Sequence, residues 1–245
     1  MIEPKALVFD LDGVITDSAE LHYQAWKRLA GELNLAFDRE QNEALKGISR
    51  MDSLEIILKN NHCAEAYSRE QKEDFAFRKN EYYKELVETL TEKDVLPAIK
   101  ELVTEARAAG LKTAVASVSK NAPRVLERIG LKEYFDVVAD AAKVKRSKPD
   151  PEIFLTCAEQ LGIDPRACIG LEDSQAGIEG ILDAGMYAVG IHVNVTGRRP
   201  DLMVASTAVQ HRQRYLSGSS AGEIPGHPHH RRDRTRCPDR CPDLR

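Results

Sequence analysis

Short apolar runs alternate with longer amphipathic segments through most of this 245-residue chain. Six runs rich in Val, Ile, Leu and Ala predict strands at residues 5–10, 112–117, 137–139, 167–171, 187–191 and 202–205. Between the strands, apolar residues recur at helical spacing over residues 99–109, 123–129, 151–161 and 174–184. Each of these helical segments is followed by a Gly that suits a helix end, at Gly110, Gly130, Gly162 and Gly185. The alternation predicts an α/β fold, a Rossmann-like parallel sheet core with helices on both faces.

Residues 18–90 break this pattern, because no convincing strand occurs among them. Ser18 can cap a first helix, whose apolar residues recur every four positions at Leu21, Ala25, Leu29 and Leu33. Further helical stretches are predicted at residues 40–45, 53–60 and 69–90. We therefore predict a small inserted helical-bundle domain at residues 18–90 and a core domain at residues 1–17 and 91–207, with hinges near residues 15–18 and 89–94.

Residues 208–245 differ from the rest of the chain in composition. They hold eight Arg and no Lys against four acidic residues, a formal charge of +4 that leaves −8 on the rest of a chain whose total is −4. With few apolar residues, this atypical tail is predicted to be largely disordered. Zinc binding by Cys237, Cys241 and the nearby His residues is an alternative, although Cys-x3-Cys matches no usual zinc-finger spacing. The abrupt change also suggests the hypothesis of a shifted reading frame.

Composition narrows the class of protein. The chain is 42% hydrophobic, enough for a sizeable core, and its net charge of −4 gives no reason to expect a nucleic-acid partner. No apolar run reaches about 18 residues and no leader precedes the first strand, so we expect neither a membrane partner nor secretion. The five cysteines form no disulfide framework, which fits a reducing compartment. We expect a monomeric protein of the cytoplasm.

Candidate chemistry begins where the first predicted strand ends, in the run Leu-Val-Phe-Asp-Leu-Asp-Gly-Val-Ile-Thr-Asp of residues 7–17. Asp12 with Gly13 can be a simple strand-ending turn, which is how most Asp-Gly pairs behave. Asp10 has no turn to serve, because it directly follows Ala-Leu-Val-Phe. A buried carboxylate is unfavourable unless it is paired or binds a cation. The two acids therefore indicate a metal site, a reaction, or both.

Further candidate groups follow along the chain. Ser117 ends the second predicted strand, Lys148 stands between Ser and Pro in a Pro-rich segment, and Glu172 and Asp173 follow the fourth strand. Taken singly, each has an ordinary alternative: a turn Ser, a solvated Lys, and an acidic cap at a helix start. Together they fall at the carboxyl ends of parallel strands, where open α/β sheets bind ligands. The set therefore predicts an active site.

The run at residues 9–17 resembles the first motif of the haloacid dehalogenase superfamily, and the later groups follow in the order of that superfamily's motifs. The resemblance implies that Asp10 is a phosphoryl-accepting nucleophile and that Asp12 is the general acid and base. It also implies that the inserted helices form a cap over the active site. Phosphate-ester hydrolysis is very slow without a catalyst, so such a site has to neutralise charge and align the nucleophile.

A metal site follows from the same residues. Asp10, Glu172 and Asp173, together with the backbone carbonyl of Asp12, offer the oxygen ligands that suit Mg²⁺. The metal would screen the repulsion between the attacking carboxylate and the phosphate. A fixed cation at Lys148 would offset phosphate charge and keep Asp10 ionised.

Several segments resemble the β-glucose phosphomutases of the superfamily more closely. They are residues 17–26, 45–54, 78–80, 116–121 and 170–178. This resemblance implies interconversion of β-D-glucose 1-phosphate and D-glucose 6-phosphate, with an aspartyl-phosphate and β-glucose 1,6-bisphosphate as intermediates. It covers residues 5–207 and fails in the tail.

A mutase has to hold two phosphates, and the resemblance implies a group of residues for each. The transferring phosphate would be held by Ser117, the Val118 backbone and Lys148. The distal phosphate would be held by Arg50, Ser119, Lys120 and Asn121. Arg suits this role because its fork matches phosphate oxygens.

The insert carries further residues to which the resemblance gives a role. His22 would be a cap-closure partner near Asp12, and Lys79 would face the sugar, whereas without the resemblance they would be ordinary helix-surface groups. The substrate loop would be shaped by Lys46, Gly47 and Ser53.

Three functions remain open. The favoured one is the sugar phosphomutase, and the nearest alternative is a sugar-phosphate phosphatase of the same superfamily, which would use water as the phosphoryl acceptor. A non-catalytic binding or regulatory protein is the alternative from another class. Such a protein is expected to have lost Asp10, Asp12 or Lys148, and all three are present.

Overall fold

The computed structural model describes residues 3–207 and contains one parallel sheet of six strands. The strands are β1 (Ala6–Phe9), β2 (Lys112–Val115), β3 (Val137–Val138), β4 (Cys168–Glu172), β5 (Tyr187–Ile191) and β6 (Leu202–Val204). Their order is β3-β2-β1-β4-β5-β6, which places β1 between β2 and β4. The predicted α/β fold is confirmed.

Helices cover both faces of this sheet. On one face lie α5 (Ile99–Ala108) and α6 (Ala122–Arg128), and on the other lie α7 (Glu152–Leu161) and α8 (Gln175–Asp183). Alternate residues of β1 serve the two faces: Leu7 and Phe9 pack with α5 and α6, whereas Ala6 and Val8 pack with α7 and α8. Since both faces are covered, β1 is a continuous apolar run, as expected for a buried parallel strand.

Four α-helices lie between β1 and α5. They are α1 (Ala19–Glu32), α2 (Arg39–Glu43), α3 (Arg50–Asn60) and α4 (Arg69–Val87). The apolar faces of α1, α3 and α4 form a separate hydrophobic cluster that includes Trp26, Leu29, Leu54, Leu58 and Phe75. This helical insert therefore has a core of its own, and we refer to it as the cap.

The two chain segments that join the cap to the sheet lie side by side. The Thr16 hydroxyl donates to the carbonyl of Asp94 at 2.7 Å, and the Leu96 N–H donates to the carbonyl of Ile15 at 2.9 Å.

The predicted domain division, with a core at residues 1–17 and 91–207 and a cap at residues 18–90, stays a prediction. The predicted tail at residues 208–245, with its zinc and reading-frame hypotheses, lies outside the described residues.

Local details at helix ends agree with the predictions at most positions. The four Gly residues predicted to end helices all have positive φ, from 68° to 81°. The predicted cap role of Ser18 is wrong, because its side chain makes no cap hydrogen bond and its hydroxyl donates instead to Oδ1 of Asp12. Helix α3 begins at Arg50 rather than near residue 53, because the Ser49 hydroxyl caps it by accepting from the Asp52 N–H. Within residues 3–207, no helix combines the length and the apolar character needed to cross a membrane.

Candidate active site

The candidate site lies where the three central strands end. Asp10 directly follows β1, Ser117 lies two residues beyond β2, and Glu172 ends β4. The register aligns these ends, because Phe9 pairs with both Val115 and Leu171. Neighbouring parallel strands thus deliver the predicted residues to the same edge of the sheet.

Three carboxylates form a cluster at this edge. One oxygen from each of Asp10, Glu172 and Asp173 lies within 4.8 Å of the others. Burial is the main reason that the pKa of Asp10 is raised well above its ordinary value, and the nearby Glu172 carboxylate raises it further. The same two causes raise the pKa of Asp173 to about 7. Crowded buried carboxylates are stabilised by a cation, and an all-oxygen ligand set fits Mg²⁺. The residues present therefore fit the predicted metal.

Lys148 lies behind this carboxylate cluster and is nearly fully buried. Its Nζ is 2.5 Å from Oδ1 of Asp10 and 2.7 Å from Oε2 of Glu172. Burial alone would lower the pKa of Lys148, but the attraction of these two carboxylates outweighs it and raises the pKa. Lys148 is therefore a permanent cation, and it opposes the rise in the pKa of Asp10.

Asp12 lies in a different environment from Asp10. Its Oδ1 accepts the hydroxyl hydrogen bond of Ser18 and is 3.9 Å from Nε2 of His22. Burial raises the pKa of Asp12, and the Ser18 hydrogen bond opposes this rise. A buried carboxyl with a raised pKa is suited to give and take a proton near neutral pH.

Gly13 allows the loop after Asp12 to approach the carboxylate cluster closely. Its φ is +86°, and a Cβ at this position would clash with the carboxylate of Asp173. A side chain here would therefore be strained and would displace a candidate metal ligand. This explains physically why the strand-ending turn carries Gly.

Cap residues face the sheet edge from the opposite side. Nζ of Lys46 is 3.0 Å from Oδ2 of Asp173, so this predicted substrate-loop residue forms an ion pair between cap and core. Lys79 is buried in the cap, with its Nζ 2.7 Å from Nδ1 of His22 and 4.8 Å from the ring centroid of Trp26. Burial, followed by the charge of Arg50, lowers the pKa of Lys79 to about 7. Burial and the neighbouring Lys79 likewise lower the pKa of His22 well below its ordinary value.

A cavity of about 330 Å³ lies between cap and core. Most of the predicted site residues line it: Asp10, Asp12, His22, Lys46, Gly47, Arg50, Ser53, Ser117, Val118, Ser119, Lys120, Asn121, Glu172 and Asp173. Lys79 and Lys148 do not line it but are hydrogen-bonded to His22 and Asp10, which do. Except for Lys148, the two predicted phosphate-binding groups thus lie on the wall of one cavity.

A family model of haloacid dehalogenase-like hydrolases matches residues 4–185. The chain belongs to this family. It is 43% identical over 204 residues to the β-phosphoglucomutase of Bacillus subtilis, covering 83% of this chain and 90% of that protein. The crystal structure of a β-phosphoglucomutase from Clostridium difficile is similar with a TM-score of 0.79 and 44% identity, over 85% of this chain and 92% of that one. A fructose-1-phosphate phosphatase of Escherichia coli is 33% identical over 190 residues, covering 76% of this chain and 96% of that protein.

The haloacid dehalogenase-like site also contains residues for which the sequence predicted no role. Asn42, Asn80 and Ser147 line the same cavity. Nδ2 of Asn121 donates to Oδ1 of Asn80 at 2.9 Å, and Oγ of Ser147 accepts from the Ser49 N–H at 3.0 Å. Both contacts join cap to core. Asn80 directly follows the predicted residue Lys79, and Ser147 directly precedes the predicted residue Lys148, so both could have been found from their neighbours in the sequence. Nothing in the sequence indicated Asn42.

Proposed function

We propose that this protein is a Mg²⁺-dependent phosphomutase that interconverts β-D-glucose 1-phosphate and D-glucose 6-phosphate. The observation that carries the proposal is the cavity itself, which has a carboxylate cluster suited to Mg²⁺ at its core end and the Arg50 guanidinium on its cap wall. With the metal bound, one cavity would therefore offer positive charge at two separate places, as a substrate with two phosphates requires. The identity to β-phosphoglucomutases over most of the chain supports the same reaction.

Mg²⁺ would be held by the carboxylates of Asp10, Glu172 and Asp173, with the backbone carbonyl of Asp12 as the proposed fourth protein ligand. When bound, it supplies positive charge that screens the carboxylate nucleophile from the phosphate. Lys148 adds a second fixed charge, because it is locked to Asp10 and Glu172. These groups would hold Asp10 ionised and oriented for attack.

Asp10 would attack the phosphorus of the transferring group in line. A bond forms between a carboxylate oxygen of Asp10 and phosphorus, while the bond between phosphorus and the sugar oxygen breaks. Asp12 gives its proton to that leaving oxygen. In the second half-reaction Asp12 takes the proton from the accepting sugar hydroxyl, which then removes the phosphoryl group from Asp10. When the acceptor is β-glucose 1-phosphate, this second half-reaction gives β-glucose 1,6-bisphosphate, the proposed intermediate. It would then turn over in the cavity so that its other phosphate meets Asp10, and the next attack by Asp10 would release glucose 6-phosphate.

The two phosphates would be held by different walls of the cavity. Ser117 and the Val118 backbone would bind the transferring group near Asp10, and Lys148 would add positive charge from its position against Asp10. The distal group would be bound by Arg50, Ser119, Lys120 and Asn121. His22 would be a cap-closure partner near Asp12, and Lys79 would place its charge toward the sugar through its contact with His22. Lys46, Gly47 and Ser53 would shape the loop around the sugar. The hydrogen bond between Asn80 and Asn121 supports this arrangement, because it ties a core phosphate-binding residue to the cap.

A sugar-phosphate phosphatase is the second candidate. The 33% identity to a fructose-1-phosphate phosphatase favours it, since the same core chemistry serves both reactions. The difference is the acceptor, which is water in a phosphatase and a sugar hydroxyl in a mutase.

The test supplies β-glucose 1-phosphate, Mg²⁺ and a trace of β-glucose 1,6-bisphosphate, and follows glucose 6-phosphate and free phosphate together. We expect glucose 6-phosphate to form with little phosphate release. Phosphate release without isomerisation would support the phosphatase instead. The Asp10→Asn variant is the control for contaminating activity.

We also infer that the protein acts as a monomer in the cytoplasm, on small sugar phosphates rather than on nucleic acid or membranes. The free thiols of Cys63, Cys157 and Cys168 and the net charge of −4 support this assignment. Light scattering coupled to size-exclusion chromatography tests the monomer: a mass near twice 27.3 kDa would contradict it.

A further inference from the structure

Asn42 lies on the short cap helix α2 and lines the cavity, but none of the roles above uses it. The helix is fixed by a capping box, in which the Asp38 carboxylate accepts from the Gln41 N–H and the Gln41 side chain accepts from the Asp38 N–H. Asn42 follows directly and is only 9% exposed. Its position on the cavity wall is therefore well determined.

The side-chain amide of Asn42 has no hydrogen-bond partner among residues 3–207, although its backbone is satisfied. Its N–H donates to the carbonyl of Asp38 at 3.1 Å, and its carbonyl accepts from the Leu45 N–H at 3.0 Å. Its amide atoms remain accessible from the cavity, so a ligand in the cavity can hydrogen-bond to them. The other two amides on this wall, Asn80 and Asn121, bond to each other. Asn42 is thus the cavity amide left available for a ligand.

The chemistry of this amide differs from that of its charged neighbours. The cavity offers cations for phosphates and carboxylates for a metal, whereas an amide is neutral and both donates and accepts. A sugar hydroxyl, which also donates and accepts, is its natural complement. The buried side chain of Ser53 lines the same wall and likewise has no side-chain hydrogen bond within the described part of the chain.

Asn42 is close in sequence to two charged residues of the cavity wall. Four residues later Lys46 reaches the carboxylate cluster at Asp173, and eight residues later Arg50 begins α3. The apolar side chains of Leu45 and Ile48 line the same cavity. A wall that combines charged, neutral polar and apolar side chains matches a sugar ring that carries phosphates.

We propose that Asn42 is a specificity-determining residue that hydrogen-bonds a ring hydroxyl of the sugar phosphate. This inference rests on the proposed sugar-phosphate substrate and adds a residue that recognises the sugar ring rather than the phosphate. A site that hydrogen-bonds a hydroxyl discriminates against the analogue that lacks it, because the protein group is then left unpaired.

The test compares wild type, Asn42→Ala and the similar-sized apolar variant Asn42→Leu, with Glu40→Ala as the matched control. Glu40 is an exposed residue of the same helix and does not line the cavity. The probes are D-glucose 6-phosphate, its 2-deoxy, 3-deoxy and 4-deoxy analogues, and inorganic phosphate, which reports charge alone. Affinities are measured by calorimetry on the Mg²⁺-loaded full chain, and thermal unfolding checks that each variant is folded.

Both Asn42 variants are expected to weaken glucose 6-phosphate binding about 10-fold, and inorganic phosphate binding less than about twofold. Wild type is expected to disfavour one deoxy analogue by a similar factor, and this preference should disappear in both variants. Glu40→Ala should match wild type throughout. Equal weakening of sugar phosphate and inorganic phosphate would overturn the proposal, and so would unchanged affinities or a wild type that binds all deoxy analogues equally well.

Conversion of β-glucose 1-phosphate to glucose 6-phosphate by wild type is followed in parallel. Failure of this conversion would refute the proposed mutase reaction, whereas the affinity ratios alone decide the role of Asn42. The two hypotheses therefore fail in different measurements.

Discussion

The core edge and the cap each bury a lysine, but the two lysines lie in opposite electrostatic environments. Lys148 at the core edge is bonded to two carboxylates, which raise its pKa. Lys79 in the cap has no carboxylate at ion-pair distance among the described residues, and burial lowers its pKa to about 7. The difference shows that the core compensates its cation internally, whereas the cap does not.

The same contrast extends to the neighbouring charges. Three carboxylates crowd around Lys148, so the core edge retains negative charge that a divalent cation can balance. On the cap side, burial lowers the pKa of Arg50, and this residue forms no ion pair within residues 3–207. The cap wall is therefore suited to an anion and the core edge to a metal. With Mg²⁺ bound at the core edge, a sugar carrying two phosphates would place one beside the metal and the other at the cap wall.

The largest expected effect comes from removing the nucleophile at the core edge. Asp10→Asn keeps the size of the side chain but cannot form the aspartyl-phosphate, so we expect kcat to fall by at least ~10⁴-fold. Acid-quenched enzyme incubated with labelled bisphosphate should retain no label. The melting temperature in the presence of Mg²⁺ serves as the folding control. Turnover within about tenfold of wild type would contradict the assignment of Asp10.

Removing Lys148, whose charge is paired with two carboxylates, should mainly lower the free energy of unfolding. Lys148→Met leaves Asp10 and Glu172 buried without their cation, and breaking such a pair costs about 3–5 kcal/mol of the free energy of unfolding. Mg²⁺ should restore part of the loss, because it binds the folded carboxylates rather than the unfolded chain. Urea unfolding with and without Mg²⁺ measures both effects. If the variant were as stable as wild type without metal, Lys148 would not be needed to balance the charge of the buried carboxylates.

The core edge was also the more predictable region, for a physical reason. Asp10, Glu172 and Asp173 lie directly at the ends of adjacent apolar strands, so local patterns and parallel pairing are enough to bring them together. Contacts across the cap follow no such periodicity: Lys46 meets Asp173 from 127 residues away. Helix α2 has only five residues, too few for a pattern to show that Asn42 faces the cavity.

The predicted helix cap at Ser18 was wrong for another reason, because two kinds of group compete for its hydroxyl hydrogen bond. Ser18 has the residue type and position of a helix cap, but its hydroxyl bonds to the Asp12 carboxylate across the loop. A charged acceptor makes a stronger hydrogen bond than a backbone group. The contact depends on how the loop folds back, which the local sequence pattern does not report.

Because Lys79 has no carboxylate partner at ion-pair distance among the described residues, we expect the stability of the cap to depend on pH. Lys79 has a pKa of 10.5 when unperturbed and about 7 in the folded protein. Between pH 7 and about pH 9 the unfolded chain therefore binds more protons than the folded one, and the free energy of unfolding rises by about 1 kcal/mol per pH unit. Below pH 7 both states are protonated and the dependence fades.

Lys79→Met should remove this rise and should be more stable than wild type near pH 7. Urea unfolding of both proteins at half-unit pH intervals measures the difference, in which the titration of groups other than His22, whose pKa Lys79 lowers, largely cancels. Parallel curves for the two proteins would mean that Lys79 keeps its charge in the folded cap.

The smallest expected effect concerns the contact that joins the two regions. Asn80→Ala removes the acceptor of the Asn121 amide, so Asn121 is no longer oriented by the cap. Loss of one neutral hydrogen bond is worth about 0.5–1.5 kcal/mol, which predicts a KM for β-glucose 1-phosphate raised about 2- to 10-fold with kcat nearly unchanged. Asn60→Ala, at an exposed position at the end of α3, is the matched control. A fall in kcat at constant KM would instead place Asn80 in the chemical step, and the cap would then contribute more than positioning.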